Sequence, residues 1–193
     1  NCQGNTMTWL FWGATVALLY CYFGYPALMF LVARLKRPVT VPRLADDELP
    51  TVSLVICAYN EEVVINEKIQ NTLALDYPRE KLEIIVASDG SSDRTEEIAQ
   101  GYSQLRLIRY PRTGKTGVIC RTIPKSNGTV IVLTDANVYA PSEALRCMVE
   151  RLSVPGTGAV FANVRLVEKD GTPSASGEGL YWRYETFLKR MES

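Results

Sequence analysis

The sequence contains no histidine, and this absence excludes several kinds of site. Without an imidazole, neither a Ser-His-Asp nor a Cys-His nucleophile system can form, and no zinc site can have histidine ligands. The 21 basic and 21 acidic side chains cancel, so the sequence lacks the basic excess that is typical of nucleic-acid-binding proteins. We therefore expect no nucleic-acid partner. Acid-base or metal chemistry must come from carboxylates, hydroxyls, amides, thiols or lysines.

Several nucleotide and metal motifs are also missing. The five cysteines are widely spaced without a Cys-X-X-Cys pair, which predicts neither a disulfide framework nor a zinc site. Gly114-Lys115-Thr116 matches the end of a P-loop, but the first glycine of that motif would be residue 109, which is Arg109. No GxGxxG sequence follows the first predicted strand. These absences argue against a P-loop ATPase and a Rossmann dehydrogenase.

Charged residues are absent from the first 33 positions. Residues 8–33 are uncharged and mostly apolar, and a helix of this length, about 39 Å, exceeds the ~30 Å core of a bilayer. Pro26 predicts a kink within it. A signal peptide would have a basic leader and a shorter apolar run, so a membrane span is favoured over it and over a buried core helix. By the positive-inside rule, the basic residues that follow place the rest of the chain in the cytoplasm at the cell membrane: Arg34, Lys36 and Arg37.

The remaining sequence predicts a linker and one α/β domain. We predict a membrane anchor over residues 1–37, a proline-containing linker over 38–50 and a domain over 51–193. Short apolar runs predict strands at 52–58, 82–87, 105–109, 130–133 and 159–167. Helices are predicted between them at 62–75, 94–102, 115–125, 141–151 and 179–191. This alternation is typical of a mostly parallel sheet with helices on both faces.

Polar clusters follow three of the predicted strands, at residues 59–62, 88–93 and 134–137. A single cluster of this kind is most simply a turn or a helix cap, and Ser92 or Asp93 has that role as an open alternative. The carboxyl ends of parallel strands, however, share one edge of the sheet, where ligands bind. We therefore expect Asn60, Asp89 and Asp135 to converge there.

Aspartates at this edge favour a divalent metal and a phosphorylated ligand. Two carboxylates side by side, 4 Å apart, would repel by roughly 4 kcal/mol at an effective dielectric of about 20. Mg²⁺ or Mn²⁺ would relieve that repulsion, bridge a diphosphate and stabilise it as a leaving group. We expect Asp89 to meet a base or ribose, since Gly90 would let a ligand approach the backbone closely.

Four segments carry a resemblance to a known family: TVSLVICAYNEE, LEIIVASDGSSDRT, GKTG and VIVLTDAN. In this order, behind one predicted membrane span, they resemble the processive-type inverting glycosyltransferases of family 2, a group that includes hyaluronan, chitin and cellulose synthases. The resemblance covers about residues 50–193. It implies a GT-A (Rossmann-like) fold and transfer of a sugar from a nucleotide diphosphate sugar, usually UDP-linked, to a glycan or lipid acceptor.

The resemblance also implies roles for individual residues. Asp89 matches the carboxylate that binds the uracil and ribose, and Lys115 lies in a segment near the donor phosphates. Asp135 and Asn137 take the place of the family's DXD motif, which binds Mg²⁺ or Mn²⁺, although the family usually has aspartate at position 137. The first nucleotide-contacting loop is matched by residues 58–62, with Ala58, Tyr59, Asn60 and Glu62 as the expected contacts. Cys120 stands where the family often has asparagine.

The family's acceptor-side motifs do not occur in this sequence: the catalytic carboxylate, often in a Glu-Asp pair, and QxxRW. We therefore expect a hexosyltransferase-type enzyme represented by its donor-binding half, truncated and inactive alone, because no general base is available to deprotonate the acceptor. The alternative is a noncatalytic, membrane-tethered protein that binds nucleotide sugars. Nucleotidyl transfer would need a glycine-rich loop after the first strand, and residues 59–62 provide none.

Overall fold

A computed structural model describes residues 2–35, 40–164 and 184 of the chain. The described residues belong to two compact units, an N-terminal helical unit and the unit Val41–Val164.

The N-terminal unit is an almost continuous apolar helix. Helix α1 (Cys2–Leu19) and helix α2 (Tyr25–Leu35) are joined by a π-helical turn at Tyr20–Gly24. In this turn the Tyr25 N–H donates to the Tyr20 carbonyl, one residue further back than in an α-helix. The irregularity predicted near Pro26 thus takes the form of a π-helical turn. Residues Met7–Leu35 are long and apolar enough to cross a membrane, which no other helix in the described part of the chain is.

The second unit is built on a parallel sheet, as predicted, and its described residues contain four of the five predicted strands. The strands are β1 (Val52–Ala58), β2 (Leu82–Asp89), β3 (Arg106–Tyr110) and β4 (Val130–Asp135). Their order in the sheet is β3-β2-β1-β4, and each neighbouring pair is parallel. The two central strands, β1 and β2, are the continuous apolar runs, because their side chains are buried on both faces.

Helices cover both faces of this sheet. They are α3 (Ile65–Leu73), α4 (Thr95–Gln100), α5 (Lys115–Thr122) and α6 (Ala144–Leu152). Alternate residues of the central strands point to opposite faces, so Leu54 and Ile56 pack with α3, α4 and α6, whereas Val55 packs with Val118 of α5. Short 3₁₀ helices at Arg79–Lys81 and Ile123–Lys125 complete the connections.

Residues 41–50, predicted as a linker, lie against the domain. Leu49 is only 3% exposed and belongs to the core cluster that contains α3. The Lys81 ammonium donates to the carbonyls of Asp46, Asp47 and Leu49, and the Tyr77 hydroxyl donates to that of Pro50. These bonds hold the segment in place although it has neither helix nor strand.

The fifth predicted strand, at 159–167, is wrong over its described part. Residues 159–164 form no strand, and Phe161 is 91% exposed. An apolar alternation makes a strand only where a neighbouring strand supplies hydrogen bonds, and among the described residues β4 pairs with β1 alone. The rest of that strand and the helix predicted at 179–191 lie outside the described residues, apart from Tyr184, which is helical.

Candidate functional site

The sheet register places the predicted aspartates at one edge but not side by side. Asp135 ends β4 level with Cys57, Cys57 is level with Ala87, and Asp89 ends β2 two residues further along. Strand β1 lies between the two carboxylates, so strand spacing puts their Cα atoms about 12 Å apart. The expectation of direct repulsion at 4 Å is therefore wrong, because it ignored the intervening strand. A gap of this size leaves room for a ligand between the two aspartates.

Asp89 organises the loop that follows β3. The residue is 4% exposed, and its carboxylate accepts hydrogen bonds from the Arg112 guanidinium (2.8 Å) and the backbone N–H groups of Thr113 (2.7 Å) and Gly114 (3.0 Å). Both carboxylate oxygens are used. Asp89 thus fixes the position of residues 112–114, which lead directly into Lys115 at the start of α5.

Tyr59 and Arg112 stack at the same edge. The Arg112 guanidinium carbon lies 3.2 Å from the centroid of the Tyr59 ring, and Tyr59 remains 41% exposed. Gly90, with φ of 72°, is approached by the chain itself, since a Cβ at this position would lie 2.9 Å from the Arg112 backbone nitrogen. The loop after β3 thus occupies the space beside Gly90 where a ligand was expected, and the close approach of a ligand to Gly90 stays a prediction.

The loops after β1 and β2 are fastened together by polar residues. Asn60, at a positive φ of 54°, accepts from the Ser92 N–H at 2.8 Å, and Glu62 accepts from the Arg94 N–H at 3.1 Å. Asp93 accepts from the N–H groups of Thr95 and Glu62, but the N-cap of α4 is Arg94, so neither Ser92 nor Asp93 caps this helix. Ala58 is 3% exposed in the core. Of the predicted loop 58–62, Tyr59, Asn60 and Glu62 are exposed, and Tyr59 is the aromatic side chain among them.

Lys115 crosses the gap to Asp135. Its ammonium nitrogen lies 2.5 Å from Asp135 Oδ1, and the two side chains are 58% and 47% exposed. Because Gly114 donates to Asp89 and the next residue pairs with Asp135, a single short loop links the two aspartates. Burial raises the pKa of the Cys57 thiol between them, the Lys115 ammonium opposes this, and the carboxylates of Asp135 and Asp89 add to it.

Helix α3 holds the segment that contains Asp135 through side-chain hydrogen bonds. Lys68, 3% exposed, donates to the Thr134 hydroxyl at 3.0 Å and to the Val138 carbonyl. Burial lowers the pKa of Lys68 to about 8, and the Asp135 carboxylate opposes that shift. One turn further along α3, the Asn71 amide bonds both the carbonyl and the N–H of Ala140 at 2.9 Å.

The oxygen donors at the end of β4 suit a hard divalent cation. Asp135 is half-exposed, and Asn137 is exposed in the turn that follows β4. The described residues contain no cluster of three or more His, Cys, Asp or Glu that would hold a metal on its own. The Asp135 carboxylate already pairs with one cation, the Lys115 ammonium. These two side chains therefore fit a metal whose remaining ligands come from a bound molecule and water.

Three residues of this site were missed by the sequence analysis: Arg112, Lys68 and Asn71. Arg112 had an available signal, because residues 112–115 form a polar cluster after a third strand, at the same edge as the clusters that were recognised. Lys68 and Asn71 had none. In the sequence they are polar positions of an amphipathic helix, which are normally exposed to solvent.

Comparison with known proteins agrees with this geometry. Residues 53–192 match the model of "Glycosyl transferase family 2". The chain is 30% identical over 196 residues to beta-monoglucosyldiacylglycerol synthase of Synechocystis sp., covering 95% of this chain and 39% of that protein. It is 36% identical over 129 residues to the probable glycosyltransferase YdaM of Bacillus subtilis, covering 62% and 31%. The chain thus spans about two fifths of the length of the first of these relatives.

A solved structure shares the fold. The mannosyltransferase PcManGT from Pyrobaculum calidifontis, determined in complex with GDP-Man and Mn²⁺, superposes with a TM-score of 0.60 at 31% identity, covering 72% of this chain and 43% of that one. The parallel sheet with helices on both faces is therefore a GT-A fold. Since the family model covers well over half of the sequence, this chain belongs to glycosyl transferase family 2.

Proposed function

We propose that this chain is the donor-binding part of a membrane-anchored glycosyltransferase. The enzyme transfers a sugar from a nucleotide diphosphate sugar to a glycan or lipid acceptor, and we expect the nucleotide to be UDP. The observation that carries the proposal is the single loop that joins Asp89 to Asp135 through Gly114 and Lys115. It puts a cation and backbone N–H groups between two carboxylates at the ligand-binding edge of a parallel sheet. The relative that is a glucosyldiacylglycerol synthase supports a lipid acceptor.

The nucleoside and the diphosphate would meet different parts of this edge. Tyr59 offers an exposed aromatic surface for the base, beside Arg112 and Asp89. Lys115, at the N-terminus of α5, is the cation that would offset the diphosphate charge. Since Asn60 and Glu62 bond the neighbouring loop, we assign them to shaping the donor site, with Ala58 contributing only its backbone.

Asp135 and Asn137 would hold the metal, Mg²⁺ or Mn²⁺. The neighbour solved with GDP-Man and Mn²⁺ supports the use of a divalent metal. A bound divalent cation supplies charge stabilisation for the nucleoside diphosphate as it leaves. Lys115 pairs with Asp135, so the lysine proposed to bind the diphosphate lies directly beside the proposed metal ligand.

The apolar helix Met7–Leu35 would be the membrane anchor. Its 29 residues are about 43 Å long, enough to span a bilayer core of ~30 Å, and its most apolar window is fully exposed within the protein. Arg34 lies near its end, and by the positive-inside rule this basic residue favours a cytoplasmic location for the following domain. The glycolipid synthase relative supports membrane association.

Donor binding tests this proposal. We would measure retention of UDP-glucose and of GDP-mannose by the chain in detergent micelles, by equilibrium dialysis, with Mn²⁺ or with EDTA. We expect one donor to bind only with Mn²⁺, and Asp135→Ala to weaken that binding at least tenfold, because a metal ligand is lost.

The matched control is Asp76→Ala. Asp76 is also an exposed aspartate in an ion pair, at 3.4 Å from Arg146, but it lies outside the candidate site. It should leave donor affinity unchanged. Binding that is independent of metal and unaffected by Asp135→Ala would refute the assignment.

A further inference from the structure

Helix α3 contacts the proposed metal-binding segment at both of its ends. The segment consists of residues 134–140, with Asp135 and Asn137 inside it. The Lys68 ammonium bonds Thr134, just before Asp135, and the carbonyl of Val138, just after Asn137. The buried Lys68 side chain thus bonds the chain on both sides of the two candidate metal ligands, Asp135 and Asn137.

Asn71 and Glu67 extend the same contact. The Asn71 amide bonds Ala140 in both directions, and the Tyr139 hydroxyl donates to Glu67 at 3.2 Å. Residues 67, 68 and 71 lie within about one helical turn, so they form one surface of α3. Thr134 and Asp135 end β4 and pair with β1, whereas residues 136–140 are a turn followed by irregular chain, with little backbone bonding to fix their shape: Val138 N–H to the Asp135 carbonyl at 3.4 Å.

From these contacts we infer that Lys68 and Asn71 are positioning residues for the metal ligands Asp135 and Asn137, a role that rests on the proposed function. Groups that orient metal ligands set affinity through geometry, and their loss typically costs 10–100-fold. A metal held by only two protein side chains depends strongly on their mutual placement, since neither is fixed by a third ligand.

An effect of the Lys68 charge and a positioning role of Lys68 predict opposite changes in Mn²⁺ affinity for Lys68→Met. If Lys68 acted on a metal only through its charge, Lys68→Met would strengthen Mn²⁺ binding, because a nearby cation is removed. If it positions the ligands, the same variant weakens Mn²⁺ binding. Asn71→Leu carries no charge change, so it tests position alone.

The experiment measures Mn²⁺ affinity by electron paramagnetic resonance, on the whole chain in detergent, with UDP or GDP present, whichever the unmodified chain retains. We expect Asn71→Leu and Lys68→Met each to raise the Kd for Mn²⁺ at least tenfold. Urea unfolding of each variant, followed by circular dichroism, establishes that it is folded under these conditions.

Lys81→Met is the matched control. Lys81 also donates to several backbone carbonyls, but these belong to residues 46–49, away from the metal segment. We expect it to lower stability and leave the Kd for Mn²⁺ unchanged. An unchanged Kd in Asn71→Leu, or tighter binding in Lys68→Met, overturns the positioning role alone. Absence of Mn²⁺ binding by the unmodified chain overturns the proposed function as well.

Discussion

Replacing Lys115 with glutamine should have opposite effects on the metal and on the donor. The Lys115 ammonium lies 2.5 Å from Asp135 Oδ1, the carboxylate oxygen proposed to bind the metal. A metal that binds Asp135 must displace this ammonium. A diphosphate, in contrast, gains the ammonium as a partner. The same side chain therefore competes with the metal and assists the donor.

The size of each effect follows from the exposure of the pair. Lys115 and Asp135 are 58% and 47% exposed, so solvent screens their attraction to about 1 kcal/mol or less. Removing the competitor should then lower the Kd for Mn²⁺, without nucleotide, by up to about fivefold. A charge-assisted hydrogen bond to the diphosphate is worth about 1.5–3 kcal/mol, so the Kd for the donor at saturating Mn²⁺ should rise roughly tenfold or more.

Two titrations of the chain in detergent measure these effects: Mn²⁺ alone by electron paramagnetic resonance, then donor by equilibrium dialysis. Lys125→Gln is the control for general charge, since Lys125 lies over the Tyr110 ring at 4.7 Å and does not pair with Asp135. In an Asp135→Ala background, Lys115→Gln should no longer affect Mn²⁺. Weaker or unchanged binding of Mn²⁺ alone by Lys115→Gln would refute the competition.

Two further predictions concern stability, measured by urea unfolding. Asp89→Asn should lower the free energy of unfolding by about 2–4 kcal/mol, because a buried carboxylate with three charge-assisted bonds is lost. The control Asp76→Asn removes an exposed ion pair and should lower it by less than about 1 kcal/mol. Equal losses in the two variants would contradict this reasoning. Burial lowers the pKa of Lys68 to about 8. Above that pH the unfolded chain therefore binds more protons than the folded chain, and the free energy of unfolding rises with pH. From pH 7 to pH 9.5, the free energy of unfolding of the unmodified chain should rise by about 2 kcal/mol relative to that of Lys68→Met. If the difference between the two proteins stays flat or falls, burial does not lower the pKa of Lys68 in this way.

The sequence predicts the sheet well because burial on both faces leaves a direct signal. The bounds of β1 are as predicted, the other three strands have one or two residues of error at an end, and the carboxyl edge follows from their parallel direction. The order of the strands leaves no such signal. Nothing in the segments around Asp89 and Asp135 shows that β1 lies between them, and this is why their direct repulsion was wrongly expected.

Contacts between distant segments could not be predicted from the sequence either. The Asn60 side chain bonds Ser92, 32 positions away, and Lys68 reaches Val138 across 70 positions. Each residue is ordinary for its local setting, a turn asparagine and a helix lysine. Only the packing of α3 and of the loops against the sheet edge gives them their partners.

The bonds of Asp89 determine how this residue can act on a donor. A carboxylate has about four lone-pair sites, and Asp89 already accepts from Arg112, Thr113 and Gly114. A direct bond to a nucleoside would have to use a remaining site or displace one of these donors. Displacement would release the loop that carries Lys115, the cation meant for the diphosphate. We therefore expect Asp89 to keep its loop bonds when a donor binds, and to affect the diphosphate through the position of Lys115 as much as through any contact with the base.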